Sequence, residues 1–244
     1  WGRIAAHDVK MIEQALPHPL SQDAPFTELE DIVNYRATFL KEYQDQALAN
    51  KYLSTVETIR ALEDKVGGSD HTLTKAVARN YFKLLAIKDE YEVARLYTNG
   101  DFERRLNQQF EGDFKIHFHM APPLIAPKDS KGHLRKMEFG GWMHKALKVV
   151  ARLRSLRGTA FDVFGRTEER KMERRLISDY EDLMALFVDS LTSEKLSSAI
   201  ALAEIPEDIR GYGHVKEKSV ELATQKSALL LQEYHSRDKH KEVA

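Results

Sequence analysis

The chain has 244 residues, 42% hydrophobic and 31% charged: enough for a buried core in one large domain or two modest ones, and not the balance of a disordered chain. Lys and Arg number 37 against 38 Asp and Glu, so a net charge of −1 gives no global pull toward nucleic acid or anionic membrane, and only local patches remain open. Cysteine is absent, which excludes disulfides, a nucleophilic thiol, a Cys-based zinc site and any iron–sulfur cluster held by the chain's own thiolates.

The start, Trp1-Gly2-Arg3, is neither an initiator methionine nor a signal peptide, which fits a segment of something longer. Residues 3–16 read as a short helix ended by Pro17 and Pro19, and 17–25 as a linker. Thr27 is placed to cap the next helix, with Glu28, Glu30 and Asp31 at its positive end. Leu29, Ile32, Val33, Arg36, Phe39, Leu40, Tyr43 and Ala47 then recur at helical spacing, and Val56, Ile59, Leu62 and Val66 continue it to a stop at Gly67-Gly68. So long a run is one extended helix or two joined near Asn50.

A second helix is expected from Thr72 to Tyr97, stopped by Asn99-Gly100, and Asp101 caps a short one through Phe110. Residues 114–119 alternate with period two, and 134–139 return as the partner strand across a loop at 128–133. Helical pattern resumes from Trp142 to Leu156, with a loop at 158–165. Thr167 starts a helix with the apolar face Met172, Leu176, Tyr180, Leu183, Phe187 and Leu191. Ser193 starts another that ends before Pro206, and the last spans His214 to Tyr234. Residues 236–244 are polar and expected to fray. The fold class is mainly α, a multi-helix domain with one small β-hairpin. No apolar run approaches the ~20 residues that cross a bilayer, so no membrane partner is expected.

Several side chains have chemistry worth following. On the expected helix from Thr72, Asn80, Lys88 and Arg95 share the face of Leu73, Val77, Leu84, Ile87 and Tyr91, where a charge is costly unless paired. Glu92 stands four residues after Lys88 and three before Arg95, so either an internal network or a cationic site for an anion is open. His117 and His119 share a strand face as two metal ligands do, but no third ligand has suitable spacing, and a structural or surface role is read for them. Lys145, Lys148 and Arg152 form a basic stripe opposite Trp142, Ala146, Val149 and Leu153, with Glu168, Glu169 and Glu173 available to neutralise it. The sharpest local feature runs from Arg210 to Lys216. Gly211 and Gly213 flank Tyr212, and Arg210, His214 and Lys216 surround a helix N-terminus whose free amides suit an anion; a plain helix–helix corner is the other reading. No G-x-x-x-x-G-K-[ST], G-x-G-x-x-G or G-x-S-x-G is present. The Gly-Asp pairs at 100–101 and 112–113 lack the further glycine and asparagine of a thiamine-diphosphate metal site. No catalytic residue and no metal site is assigned.

Six phrases read together carry a resemblance: ARNYFKL from Ala78, KDEYEVARLYTNGDFE from Lys88, FHMAPPL from Phe118, RLRSLRGTAFDVFG from Arg152, ERKMERRLISDYE from Glu169 and IRGYGHVKE from Ile209. In order and spacing they resemble the C-terminal domain of single-chain bacterial indolepyruvate ferredoxin oxidoreductases, thiamine-dependent 2-oxoacid:ferredoxin oxidoreductases. The resemblance covers 25–235. It implies that 1–24, with WGRIAAHD, is the tail of a preceding catalytic gamma-type domain and a linker, that 25–235 is the helical C-terminal domain, and that 236–244 is a tail. The parent enzyme it implies is cytoplasmic and homo-oligomeric. It decarboxylates an arylpyruvate with thiamine diphosphate, magnesium and iron–sulfur clusters, passes electrons to ferredoxin and the acyl group to coenzyme A. None of those cofactor motifs maps onto this chain. The expected role is therefore a non-catalytic structural or interdomain module partnered by the catalytic domains. The alternative is a module in which Arg210, His214 and Lys216 hold an acidic group such as the phosphates of coenzyme A. The third, a helical nucleic-acid binder using 145–157, ranks last given the balanced charge.

Overall fold

The computed structural model describes residues 28–122, 126–127 and 135–239; the readings of 3–16, 17–25, Thr27, the loop at 128–133 and the tail from 240 lie outside the described residues. Among those described, the chain is mainly α, with nine α-helices and one two-stranded antiparallel hairpin. No described helix is long and apolar enough to cross a membrane.

The run that begins at Leu29 forms two helices, α1 (Leu29–Tyr43) and α2 (Gln46–Lys65), with Asn50 inside the second. The break is at 44–45 because the Asp45 carboxylate accepts a hydrogen bond from the Leu48 amide at 2.8 Å and satisfies an orphan donor of the new helix. After Gly67 (φ 89°) ends α2, Glu63 reaches forward to cap α3 (Thr72–Leu85). Its carboxylate, 1% exposed, accepts from the Leu73 and Thr74 amides at 3.0 and 2.8 Å and from the Thr74 hydroxyl at 2.6 Å. A Cβ on Gly68 would stand 2.5 Å from Glu63 Cγ, so the second glycine leaves room for that carboxylate.

The helix expected to run from Thr72 to Tyr97 stops at Leu85 and restarts as α4 (Glu90–Thr98). An aspartate again makes the break. Asp89 caps the Glu92 amide at 2.8 Å, while Arg157 holds the same carboxylate with two hydrogen bonds of 2.5 and 2.9 Å. Lys88 therefore lies in a connector and not on a helix face. Gly100 (φ 90°), not Asp101, takes the cap position of α5 (Asp101–Gln109).

The hairpin is shorter than the alternation suggests: β1 (Phe118–Met120) pairs with β2 (Met137–Phe139), Phe118 opposite Phe139 and His119 opposite Glu138. Residues 114 and 115 are exposed and have no buried face to hold them in a strand. In α6 (Trp142–Arg152) the core side is Met143, Leu147 and Ala151, so the expected apolar face is corrected by a partial turn; Trp142 and Val149 are 61% and 58% exposed. The helix is turned this way because it packs along α4 and against the hairpin, where Ala94, Phe118 and Phe139 complete a small second core.

A 3-10 turn (Leu153–Leu156) follows, then α7 (Glu168–Ser190), capped as expected by the Thr167 hydroxyl, which accepts from the Arg170 amide at 3.3 Å. Pro206 sits in a 3-10 turn (Ile205–Asp208) after α8 (Leu196–Ala203). The last helix, α9 (His214–Lys239), carries on through 236–239, past the expected end at Tyr234.

The main core joins α1, α2, α3, α7 and α8, with Tyr234 of α9. At its centre Tyr52, Tyr81 and Tyr180 stack with centroids 6.2 and 6.0 Å apart. Each hydroxyl is used: Tyr52 donates to the Ala78 carbonyl (3.0 Å), Tyr81 to Glu181 (2.7 Å) and Tyr180 to the Ala203 carbonyl (3.0 Å). Rings this large can be buried because their polar ends find partners. The column fixes α3 against α7 and so sets the distance across the cleft described next.

Candidate functional site

Where the end of α3 meets the start of α7, the turn at 209–213 and the first turn of α9, the surface sinks into a cleft of about 550 Å3. Lys83, Lys88, Arg170, Arg210 and Lys216 line it against two carboxylates, Glu169 and Glu173. Each cation has its own support. Lys83, in the last turn of α3, donates to the Pro206 carbonyl at 2.6 Å. Lys88 comes from the connector that Asp89 creates. Arg210 Nε donates to the Glu207 carbonyl at 3.1 Å.

The carboxylate inside the cleft is already committed. Glu173, 5% exposed, accepts from Arg170 and from Lys216, both at 2.5 Å. Burial disfavours the Arg170 charge, but Glu173 and Glu90 outweigh that and hold its pKa above the ordinary range. Among the described residues Lys83, Lys88 and Arg210 make no ion pair. The electrostatic consequence falls on Lys83. Burial first, then the Arg210 guanidinium and more weakly Lys216, push its ammonium below the ordinary lysine pKa against the opposing pull of Glu207 and Asp208.

The turn at 210–213 is held in one shape. Gly211 (φ 89°) and Gly213 (φ 53°) occupy left-handed conformations, and a Cβ on Gly211 would come within 2.6 Å of Val215 Cγ1. Ser219 Oγ accepts from the Arg210 amide at 3.1 Å and donates to the Lys216 carbonyl at 2.8 Å, tying the turn to α9. The glycines thus serve a tight corner, and the corner in turn aims Arg210 and Tyr212 at the cleft.

The sequence candidates separate cleanly. Arg210, Gly211, Gly213, Lys216 and Lys88 all line this cleft. His214 begins α9 but is exposed and does not line it. Arg95 belongs elsewhere: it donates to both oxygens of Glu92 (2.8 and 2.9 Å) and to Glu42 (3.3 Å), the internal pair its spacing suggested. Arg95 lines a wider hollow of about 690 Å3 with Lys148, Arg152 and Arg154, where Glu42 and Asp101 answer the charge. Lys83 was not singled out as a candidate. It falls off the apolar face of its helix, and nothing local distinguishes it from a solvated lysine.

Two further features of the sequence have a place in the fold. His117 lies before β1, 2.5 Å from Glu138, and His119 is exposed; among the described residues no group of three His, Asp or Glu is placed to hold a metal ion. The α6 stripe is not neutralised by the start of α7. Lys148 lies 3.7 Å from Glu103, and Glu173 is spent on Arg170 and Lys216. No curated protein and no solved structure matches the chain. A family model matches residues 29–228, and the chain therefore belongs to DUF6537, a family of unknown function.

Proposed function

We propose that the chain is a non-catalytic domain that binds a phosphate-type anion in the cleft between α3, α7 and the 210–213 turn. One observation carries this reading: Lys83 and Lys88, at and just after the end of α3, and Arg210, from the turn before α9, converge on one cavity and make no ion pair among the described residues. The lining cations outnumber the two carboxylates of the cleft, Glu169 and Glu173, and an anion among them relieves their mutual repulsion. The positive end of the α9 dipole favours the same sign of ligand. The test is calorimetric titration of inorganic pyrophosphate into the chain and into the Lys88→Ala/Arg210→Ala variant. The expected result is saturable one-to-one binding that weakens about tenfold or more in the variant, ~1.4 kcal/mol or above. Absence of binding to the unsubstituted chain, or equal affinities, overturns the reading.

A second reading, an interdomain module, is favoured by the outer face of α6, where Trp142 and Val149 stay exposed beside Lys145 and Arg152. With the six-phrase resemblance, that face would rest on the catalytic domains of an indolepyruvate ferredoxin oxidoreductase in the cytoplasm, and thiamine diphosphate, magnesium and the iron–sulfur clusters would sit on those domains. Deleting 25–235 from such an enzyme should cost assembly or turnover. Unchanged assembly and turnover would remove the interdomain role.

A further inference from the structure

The cleft has an aromatic wall that anion binding does not call for. Tyr212 lines it beside Arg210, yet its side chain is 76% exposed and makes no hydrogen bond or ring contact among the described residues. A tyrosine usually buries its ring and satisfies its hydroxyl at the boundary. Here the opposite arrangement is built in. Two left-handed glycines bracket the residue, a side chain at Gly211 would collide with Val215, and Ser219 fastens the turn from α9. The turn is therefore held in one shape, and Tyr212 stands exposed at the rim of the cavity.

The cations that share the cavity with Tyr212 outnumber its two carboxylates, Glu169 and Glu173. Lys83, Lys88 and Arg210 are without ion pairs among the described residues, and Lys216 shares Glu173 with Arg170. That supply of charge suits more than one phosphate. The cavity, about 550 Å3, lies within the range of sites that enclose a whole small organic ligand, roughly 300–1,000 Å3, and a bare phosphate fills only a fraction of it. Leu84, Ile87, Leu176 and Ile209 supply apolar wall between the charged groups. A ligand that matches all three features carries phosphates at one end and a planar ring at the other.

We infer that the occupant is a nucleotide with more than one phosphate, the phosphates held by Lys83, Lys88, Arg210 and Lys216 and the base stacked on Tyr212. This rests on the anion-binding reading above and adds the base to it. Stacking on an exposed aromatic tolerates any base, so Tyr212 confers preference for nucleotides over plain phosphates more than for one nucleotide over another. Phe at this position keeps the ring face and loses only a hydroxyl that has no partner.

The experiment compares ADP with inorganic pyrophosphate by calorimetry at one ionic strength, on the unsubstituted chain, Tyr212→Ala and Tyr212→Phe. The expected result is ADP binding about tenfold or more tighter than pyrophosphate, an advantage erased in Tyr212→Ala and kept in Tyr212→Phe. Pyrophosphate binding with no ADP advantage, or an advantage that survives Tyr212→Ala, overturns the nucleotide assignment and leaves the anion-binding reading standing. No binding of pyrophosphate or ADP removes both. Tyr212 is exposed, so loss of folding does not confuse the comparison, and thermal unfolding of each variant checks that.

Discussion

Two gatherings of charge lie on either side of the 86–89 connector, and they differ in whether the fold supplies the counter-charge. On one side, Asp89 and Arg157 form a buried pair, with side chains 4% and 11% exposed, and Arg157 lies 3.7 Å over the Tyr43 ring. Beside it Glu92 holds Arg95, and Asp162 accepts from the Gly158, Phe164 and Gly165 amides at 2.8, 3.2 and 2.9 Å and from the Tyr91 hydroxyl at 3.2 Å. Burial, with Asp162 next, pushes the Tyr91 phenol up to about 12. On the other side, Lys83, Lys88 and Arg210 share a cavity without such partners. The residue types are the same. Paired charges staple the chain between helices, and unpaired ones keep their attraction for something outside it.

The largest expected effect breaks the first region. Arg157→Met leaves Asp89 buried with only the Glu92 amide in its place and should cost about 3–5 kcal/mol in urea unfolding. Lys88→Ala in the cleft should stay within about 0.5 kcal/mol by the same measurement. A cost for Lys88→Ala near that of Arg157→Met would erase the distinction. Next in size is the stabilisation conferred by a ligand: pyrophosphate at about a hundred times its dissociation constant should add ~2.7 kcal/mol to unfolding stability, and the Lys88→Ala/Arg210→Ala variant should lose about half of it or more at the same concentration.

The smallest effect is a pH dependence. The folded-state pKa of Lys83 is depressed below the ordinary 10.5, so between the two values the unfolded chain binds more protons and stability rises with pH. Unfolding titrations of Lys83→Met should lack that rise. Pyrophosphate affinity should fall across the same window, because Lys83 loses its charge there. A slope that is unchanged in Lys83→Met would show that another group titrates.

Much of the fold was legible because helix ends carry local signals. Thr167 caps α7, Gly67-Gly68 ends α2, and Asn99-Gly100 ends α4. Two breaks, one expected near Asn50 but found at 44–45 and one not expected at 86–89, share a cause. Periodicity continues through 44–45 and 86–89, and each break depends on an aspartate whose helix-starting role is visible only once the chain has turned. For Asp89 the decisive partner is Arg157, 68 residues away. The Arg95–Glu92 pair was readable because it lies within one turn of helix. The cleft was half readable: the Arg210–Lys216 turn stood out by its glycines, while Lys83 reaches it only through tertiary packing against Pro206. The α6 face was misread because Trp142 and Val149 follow the helical period without being the side that meets α4 and the hairpin.

The central claim is that the unpaired cations of the cleft exist to hold an anion. It is tested most directly by titrating inorganic pyrophosphate into the chain at a series of salt concentrations. The account predicts one site per chain, an affinity that falls steadily as salt rises, and loss of about tenfold or more in Lys88→Ala/Arg210→Ala. Binding that is absent, or indifferent to both salt and the double substitution, would contradict it.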